Sequence, residues 1–202
     1  MNKCIDDAEV ADGGEGFVTL ASLRQQLNTP AWKELDNADS SLGKILLSQH
    51  FKDEKKGHDA NQISVDFLRM FALMHCVGTN MDKARAFYLI LQEGGFERHD
   101  QISAGDKDFE PAFKKMCTLA STEVFEIAGG LGVACPYDDD ELENLISDDT
   151  VEELREAKWL EEVYGATSRL ENDQWLAKVS KTASWIFNPQ ACRAKLFEQS
   201  QV

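Results

Sequence analysis

Apolar residues recur along most of the chain three or four positions apart, which is the spacing of an α-helix. One stripe occupies positions i, i+3, i+4 and i+7: Ala84, Phe87, Tyr88 and Leu91. A second stripe runs through 173–186, and apolar residues surround most of a helix predicted over 64–77. Alternating apolar and polar runs, which are typical of strands, are scarce. The pattern therefore predicts an all-α fold.

A two-residue signal introduces several of these helices. An aliphatic residue is followed by Thr or Ser, whose side-chain oxygen can accept a hydrogen bond from the first-turn amides of a helix. The signal occurs at Val18, Ile63, Ile102 and Ile146, at intervals of about 40 residues. Repetition over this distance predicts a fold built from similar helix–loop–helix units.

The first occurrence belongs to a longer motif. The run Gly14-Glu15-Gly16-Phe17-Val18-Thr19, followed by Leu20-Ala21-Ser22-Leu23-Arg24, resembles the calcium loop and exiting helix of an EF-hand. In that family a glycine turn precedes a β-branched residue at loop position 8 and a helix N-cap at position 9. The resemblance implies EF-hand-like helix–loop–helix pairs with an additional C-terminal helical segment, as in relatives of calmodulin and the myosin light chains.

The resemblance also implies a division of the chain. Residues 1–120 are expected to form an EF-hand-like lobe with three degenerate hands. Residues 121–202 are expected to form a helical C-terminal region, with a fourth degenerate hand at Ile146 plus two helices as one arrangement. Paired loops should meet through short β contacts, and little other sheet is expected.

Most of the ligands that calcium requires are missing from these loops. Calcium takes about six to eight oxygen ligands, normally with a bidentate carboxylate at loop position 12. With Val18 at position 8, positions 1 and 12 of the first loop are Ala11 and Ser22. The second and third loops have Lys56 and Gly95 at position 1. We therefore expect no metal site in these three loops.

The fourth loop, 139–150, is richer in acidic residues. Its positions 1, 3 and 5 are carboxylates: Asp139, Glu141 and Glu143. Position 12 is Thr150, which cannot chelate through two oxygens. One hypothesis is a calcium sensor with a weak calcium or magnesium site in this loop. The favoured alternative is an acidic helix from Asp138 to Leu145 whose carboxylates face water.

The acidic balance of the chain limits its partners. The formal net charge is −15, from 36 acidic and 21 basic side chains, which argues against nucleic acid because phosphates need Lys or Arg. An acidic surface favours a basic amphipathic helix or peptide of a partner protein. The apolar runs are shorter than the ~18 residues of a membrane span, and no signal or transit peptide is recognisable. The expected location is cytoplasmic.

Catalytic constellations are not recognisable in the sequence. The four histidines lack zinc-hydrolase spacing, and the run Gly129-Gly130-Leu131-Gly132 lacks the Gly-Lys-Ser/Thr of a phosphate loop. We therefore predict a non-enzymatic adaptor or regulatory subunit that needs no cofactor. A helical enzyme, or an enzyme subunit without a recognisable local motif, is the alternative from another functional class.

The predicted partner-binding surface comes from two apolar helices. Methionine-rich and aromatic surfaces adapt readily to partner helices. The same residues are equally typical of an ordinary core helix. The residues assigned to this surface are Phe67, Leu68, Phe71, Met74, Phe87 and Leu91.

Overall fold

The computed structural model of the 202-residue chain describes residues 2–48, 51, 61–93, 101–105, 109–130 and 138–201. The described residues are mostly helical and their strands are three residues long, which confirms the predicted all-α class. The chain forms two compact units. Unit 1 comprises Met1–Ala72 and Thr122–Pro136, and unit 2 comprises Leu73–Ser121 and Tyr137–Val202.

Unit 1 contains two helix–strand–helix segments that are joined by a 3₁₀ helix. Its elements are α1 (Asn2–Ala11), β1 (Phe17–Thr19), α2 (Leu20–Gln26), the 3₁₀ helix (Pro30–Asp36), α3 (Ser41–Leu46), β2 (Gln62–Ser64) and α4 (Val65–His75), which continues into unit 2. Pro30 opens the 3₁₀ helix, where a missing N–H costs nothing. Ser40 caps α3 by accepting a hydrogen bond from the Gly43 N–H at 2.9 Å.

Unit 2 has a similar order of elements with a longer helical insertion. Its elements are α5 (Asn80–Glu93), β3 (Gln101–Ser103), α6 (Phe109–Gly130, reaching into unit 1), α7 (Asp139–Leu145), α8 (Asp148–Leu154), a π-helical turn (Arg155–Leu160), α9 (Glu161–Val163), β4 (Arg169–Glu171), α10 (Asn172–Lys181), a 3₁₀ helix (Ser184–Phe187) and α11 (Pro189–Ser200). Thr79 and Asp82 start α5 by exchanging side-chain-to-backbone hydrogen bonds of 3.1 and 3.2 Å.

Among the described residues, each unit has one short antiparallel ladder. In unit 1, β1 pairs with β2 and places Val18 opposite Ile63. In unit 2, β3 pairs with β4 and places Ile102 opposite Leu170. Ile146, the position considered for a fourth hand, ends α7, and the residue opposite Ile102 is Leu170.

The ladder in unit 2 also explains why the compact units do not follow the predicted boundary after residue 120. Strand β3 finds its partner in β4, and α5 packs against α10. Both contacts connect segments that the sequence assigned to different regions. The segment from α5 to β3 consequently belongs with the C-terminal helices, while α1 to β2 form unit 1.

The core of unit 2 is an aromatic cluster around Phe87 of α5. The ring of Phe87 has four aromatic neighbours at centroid distances of 5.7 to 6.5 Å: Phe109, Trp159, Trp175 and Phe187. Trp159 also stacks on Phe109 at 5.0 Å. Each buried aromatic ring removes roughly 150–250 Å² of surface from water, so this cluster supplies much of the stabilisation of unit 2.

The C-terminal helix is fastened to unit 2 through Glu162. Its Oε2 accepts a hydrogen bond from the Trp185 indole N–H at 2.6 Å, and its Oε1 pairs with Lys195 Nζ at 3.1 Å. The Lys195 ammonium also lies 5.1 Å from the centroid of the Trp185 ring. The additional C-terminal segment predicted from the sequence is thus an integral part of this unit.

Candidate functional site

The turn between α1 and β1 depends on glycine. Gly13, Gly14 and Gly16 have φ angles of 109°, 74° and 83°. Side chains with a Cβ rarely adopt such left-handed conformations, whereas glycine does so without steric cost. This turn brings the end of α1 close to the start of α2.

The carboxylate of Asp12 closes this first loop. Its Oδ2 accepts a hydrogen bond from the Thr19 N–H at 2.7 Å and a second from the Ser22 hydroxyl, while its Oδ1 lies 3.4 Å from the Thr19 hydroxyl. Glu9 contributes a further link, because its Oε1 accepts from the Gly16 N–H at 3.0 Å. The end of α1 is therefore joined to the first turn of α2 by direct hydrogen bonds.

Ser22, the α2 residue that donates to Asp12, can be compared with the corresponding residue of a calcium loop. In the EF-hand alignment predicted from the sequence, Ser22 would occupy position 12, where a calcium loop carries the bidentate carboxylate that binds the metal from the exiting helix. Here the exiting helix offers a hydroxyl instead, and that hydroxyl donates to Asp12. The loop is closed by contacts between protein groups at the place where a calcium loop would use a cation.

Replacing Asp12 with alanine should lower the free energy of unfolding by about 1–2 kcal/mol, because Thr19 and Ser22 lose their charged acceptor and keep only the weaker hydrogen bonds between themselves. Chemical denaturation monitored by circular dichroism measures this difference. Glu15→Ala is the matched control, since Glu15 is an exposed carboxylate in the same loop and should change stability by less than about 0.5 kcal/mol. Equal effects of the two substitutions would contradict the closing role of Asp12.

The 139–150 segment does not form a calcium loop. Residues Asp139–Leu145 are the helix α7, whose N-terminus is capped by Asp138 through the Glu141 N–H at 2.8 Å. Ser147 then caps α8 by accepting from the Thr150 N–H at 3.2 Å. The segment is thus two capped helices instead of one loop, and the calcium-sensor hypothesis for it stays a sequence-based prediction.

The first positions of the second and third predicted loops lie outside the described residues. This applies to Lys56 and to Gly95, whose expected loop positions remain sequence-based predictions. Across the described ranges, groups of three or more His, Cys, Asp or Glu side chains that could hold a metal ion are absent.

The six residues predicted to bind a partner fall in both units. Phe67, Leu68 and Phe71 lie in unit 1, and the other three, Met74, Phe87 and Leu91, lie in unit 2. Leu68, Met74, Phe87 and Leu91 are buried. The half-buried Phe67 and Phe71 pack on the ring of Phe51, at centroid distances of 6.2 and 5.5 Å. The predicted partner-binding surface therefore stays a prediction, with four of its six members buried.

A cleft of about 670 Å³ lies in unit 1 beside the first loop. Its lining combines apolar side chains with one ion pair and comes from α2, the 3₁₀ helix and the residues around α3. Arg24 Nε donates to Asp36 Oδ1 at 2.8 Å, and Arg24 Nη1 donates to the Leu27 carbonyl at 3.0 Å. Sequence reasoning missed this cleft because its lining side chains come together only when α2, the 3₁₀ helix and the residues around α3 pack.

Buried cysteines do not offer nucleophilic chemistry here. Burial raises the pKa of the Cys117 thiol well above its ordinary value, and a hydrogen bond with the Cys192 thiol raises it further. Partial burial also raises the pKa of the half-buried Cys76 thiol. Since the thiolate is the reactive form, these protonated thiols are unsuited to nucleophilic catalysis.

Comparison with known proteins identified no relative of this chain. No protein-family model, curated protein sequence or solved structure matches the chain. Within the described part of the chain, the helices fall short of the combined length and apolar character that crossing a bilayer requires.

Proposed function

We propose that this protein is a non-enzymatic, metal-independent adaptor or regulatory subunit that binds a basic amphipathic helix or peptide of a partner protein. The closure of the first loop by Asp12 is the observation that carries the proposal. A calcium sensor changes conformation because a cation draws its loop ligands together. A loop whose helices are already joined by hydrogen bonds has no such step, which favours a constitutive scaffold.

The charge of the chain supports a basic partner. A net charge of −15 produces a negative field that attracts a positively charged segment and accelerates its encounter. Exposed carboxylates also surround the first loop: Asp12 and Glu15 are both exposed. The acidic field would increase the association rate, while apolar contacts would slow dissociation of the complex.

Partner capture in the presence of a chelator tests this proposal. The intact chain should retain its partner in EDTA, and the bound segment should carry an excess of Lys and Arg. Raising the salt concentration to physiological levels, where the Debye length is about 8 Å, should slow association and leave dissociation nearly unchanged. Release of the partner by EDTA with recovery in calcium would contradict the proposal, as would an association rate that salt does not change.

A further inference from the structure

The cleft of unit 1 has the form of a small docking site. Its volume of about 670 Å³ falls within the range of roughly 300–1,000 Å³ that is usual for ligand-binding pockets. The apolar part of the lining comes from the buried Leu35 and the half-buried Leu20 and Leu47. Two exposed alanines, Ala21 and Ala38, also line the cleft and leave room because their side chains are small.

The charge beside this apolar surface favours a cation. Asp36 lines the cleft with 52% of its side chain exposed, and Arg24 engages one of its two carboxylate oxygens. Residues 2–48 carry eight carboxylates against four Lys and Arg side chains, so the surrounding potential is negative. Arg24 also lines the cleft, so a Lys or Arg side chain of a ligand would share the Asp36 carboxylate with it through the second oxygen.

Two local contacts hold the walls of the cleft in place. Thr19, which lines the cleft, is fixed by its hydrogen bond to Asp12. On the other side, the backbone around Ala38 rests directly on Gly43 of α3. Walls that are ordered before binding reduce the conformational entropy that a ligand must overcome.

We propose that this cleft docks a short segment of a partner protein in which an apolar side chain enters between Leu20, Leu35 and Leu47 while an adjacent Lys or Arg pairs with Asp36. The inference rests on the proposed adaptor function and places the contact with the partner protein in unit 1. It is an alternative to the six-residue groove predicted from the sequence, four of whose members are buried.

The test uses the intact chain and a fluorescent amphipathic peptide of leucine and lysine, about 14 residues long. The peptide should shift amide resonances of the residues that line the cleft, as measured by NMR. Filling the cleft with Ala21→Trp should weaken binding about tenfold, whereas Ala31→Trp should change it less than about twofold, because Ala31 is also exposed but does not line the cleft. Circular dichroism checks that both variants remain folded.

A second pair of variants tests the charge independently of the steric block. Asp36→Asn should weaken peptide binding and reduce its salt dependence, while Asp39→Asn should change both less, since Asp39 is exposed outside the lining. Unchanged affinity in both Ala21→Trp and Asp36→Asn would overturn the docking site, and so would failure of the peptide to bind the unaltered chain. Neither result would overturn the adaptor function, which capture of a basic partner in EDTA tests separately.

Discussion

Phe87→Ala should lower the free energy of unfolding by about 3–5 kcal/mol, because it removes the ring at the centre of the aromatic cluster in unit 2. The side chain is 0% exposed and contacts four other rings, so its loss leaves a cavity that rigid aromatic neighbours cannot easily fill. Urea denaturation followed by tryptophan fluorescence measures the change.

Leu89→Ala provides the matched control for Phe87→Ala. Leu89 lies on the same helix, two residues further on, with 51% of its surface exposed. Its replacement should change the free energy of unfolding by less than about 0.5 kcal/mol. If Phe87→Ala instead remained as stable as the unaltered chain and lost partner binding, Phe87 would belong to an open groove, as the sequence-based hypothesis has it.

Gly43→Ala should destabilise unit 1 by about 1–3 kcal/mol, although glycine-to-alanine changes within helices usually stabilise. A Cβ at this position would lie 2.5 Å from the Asn37 carbonyl oxygen and 2.8 Å from that of Ala38. Both obstacles are backbone atoms, so the chain between the 3₁₀ helix and α3 must move. Thermal and chemical denaturation measure the loss.

The control for Gly43→Ala is Gly78→Ala. A Cβ at Gly78 would make an ordinary contact of 3.8 Å with Asp82 Cβ, and the φ angle of Gly78 is not positive. This substitution should be close to neutral, within about 0.5 kcal/mol. A stabilising effect of Gly43→Ala would show that α3 does not pack as closely on Asn37 and Ala38 as described.

The sequence predicted the helical class and the first ladder because both depend on local patterns. Helical spacing of apolar residues identifies an all-α chain, and an aliphatic residue followed by Thr or Ser identifies Val18 and Ile63, which lie opposite each other. At Ile146 the two-residue signal identified a helix start correctly but did not mark a strand. Ser147 does cap a helix, but Ile146 is not in a strand.

The actual strand residue, Leu170, lacked the signal because it is followed by glutamate. Glu171 is the N-cap of α10, and its backbone N–H donates to Gln174 Oε1 at 3.3 Å. A rule that requires Ser or Thr after the aliphatic residue cannot find this helix start. The pairing of Leu170 with Ile102 is a long-range contact that no local pattern records.

The candidate site was harder to predict for a related reason. Helix α4 is apolar around most of its circumference, and such a pattern does not distinguish a core from an exposed groove. Leu68 and Met74 are buried, while Phe67 and Phe71 are half-buried. The role of Asp12 was also missed, because a carboxylate at loop position 2 has no place in the usual calcium-ligand pattern.

The most direct test of metal independence is thermal unfolding of the intact chain in calcium and in EDTA at equal ionic strength. A site filled at a hundred times its Kd would add about 2.7 kcal/mol of stability, and for a chain of this size each kcal/mol raises the Tm by about 2–4 °C. Our account predicts the same Tm in both conditions at physiological calcium concentrations. A rise of several degrees in calcium would contradict it.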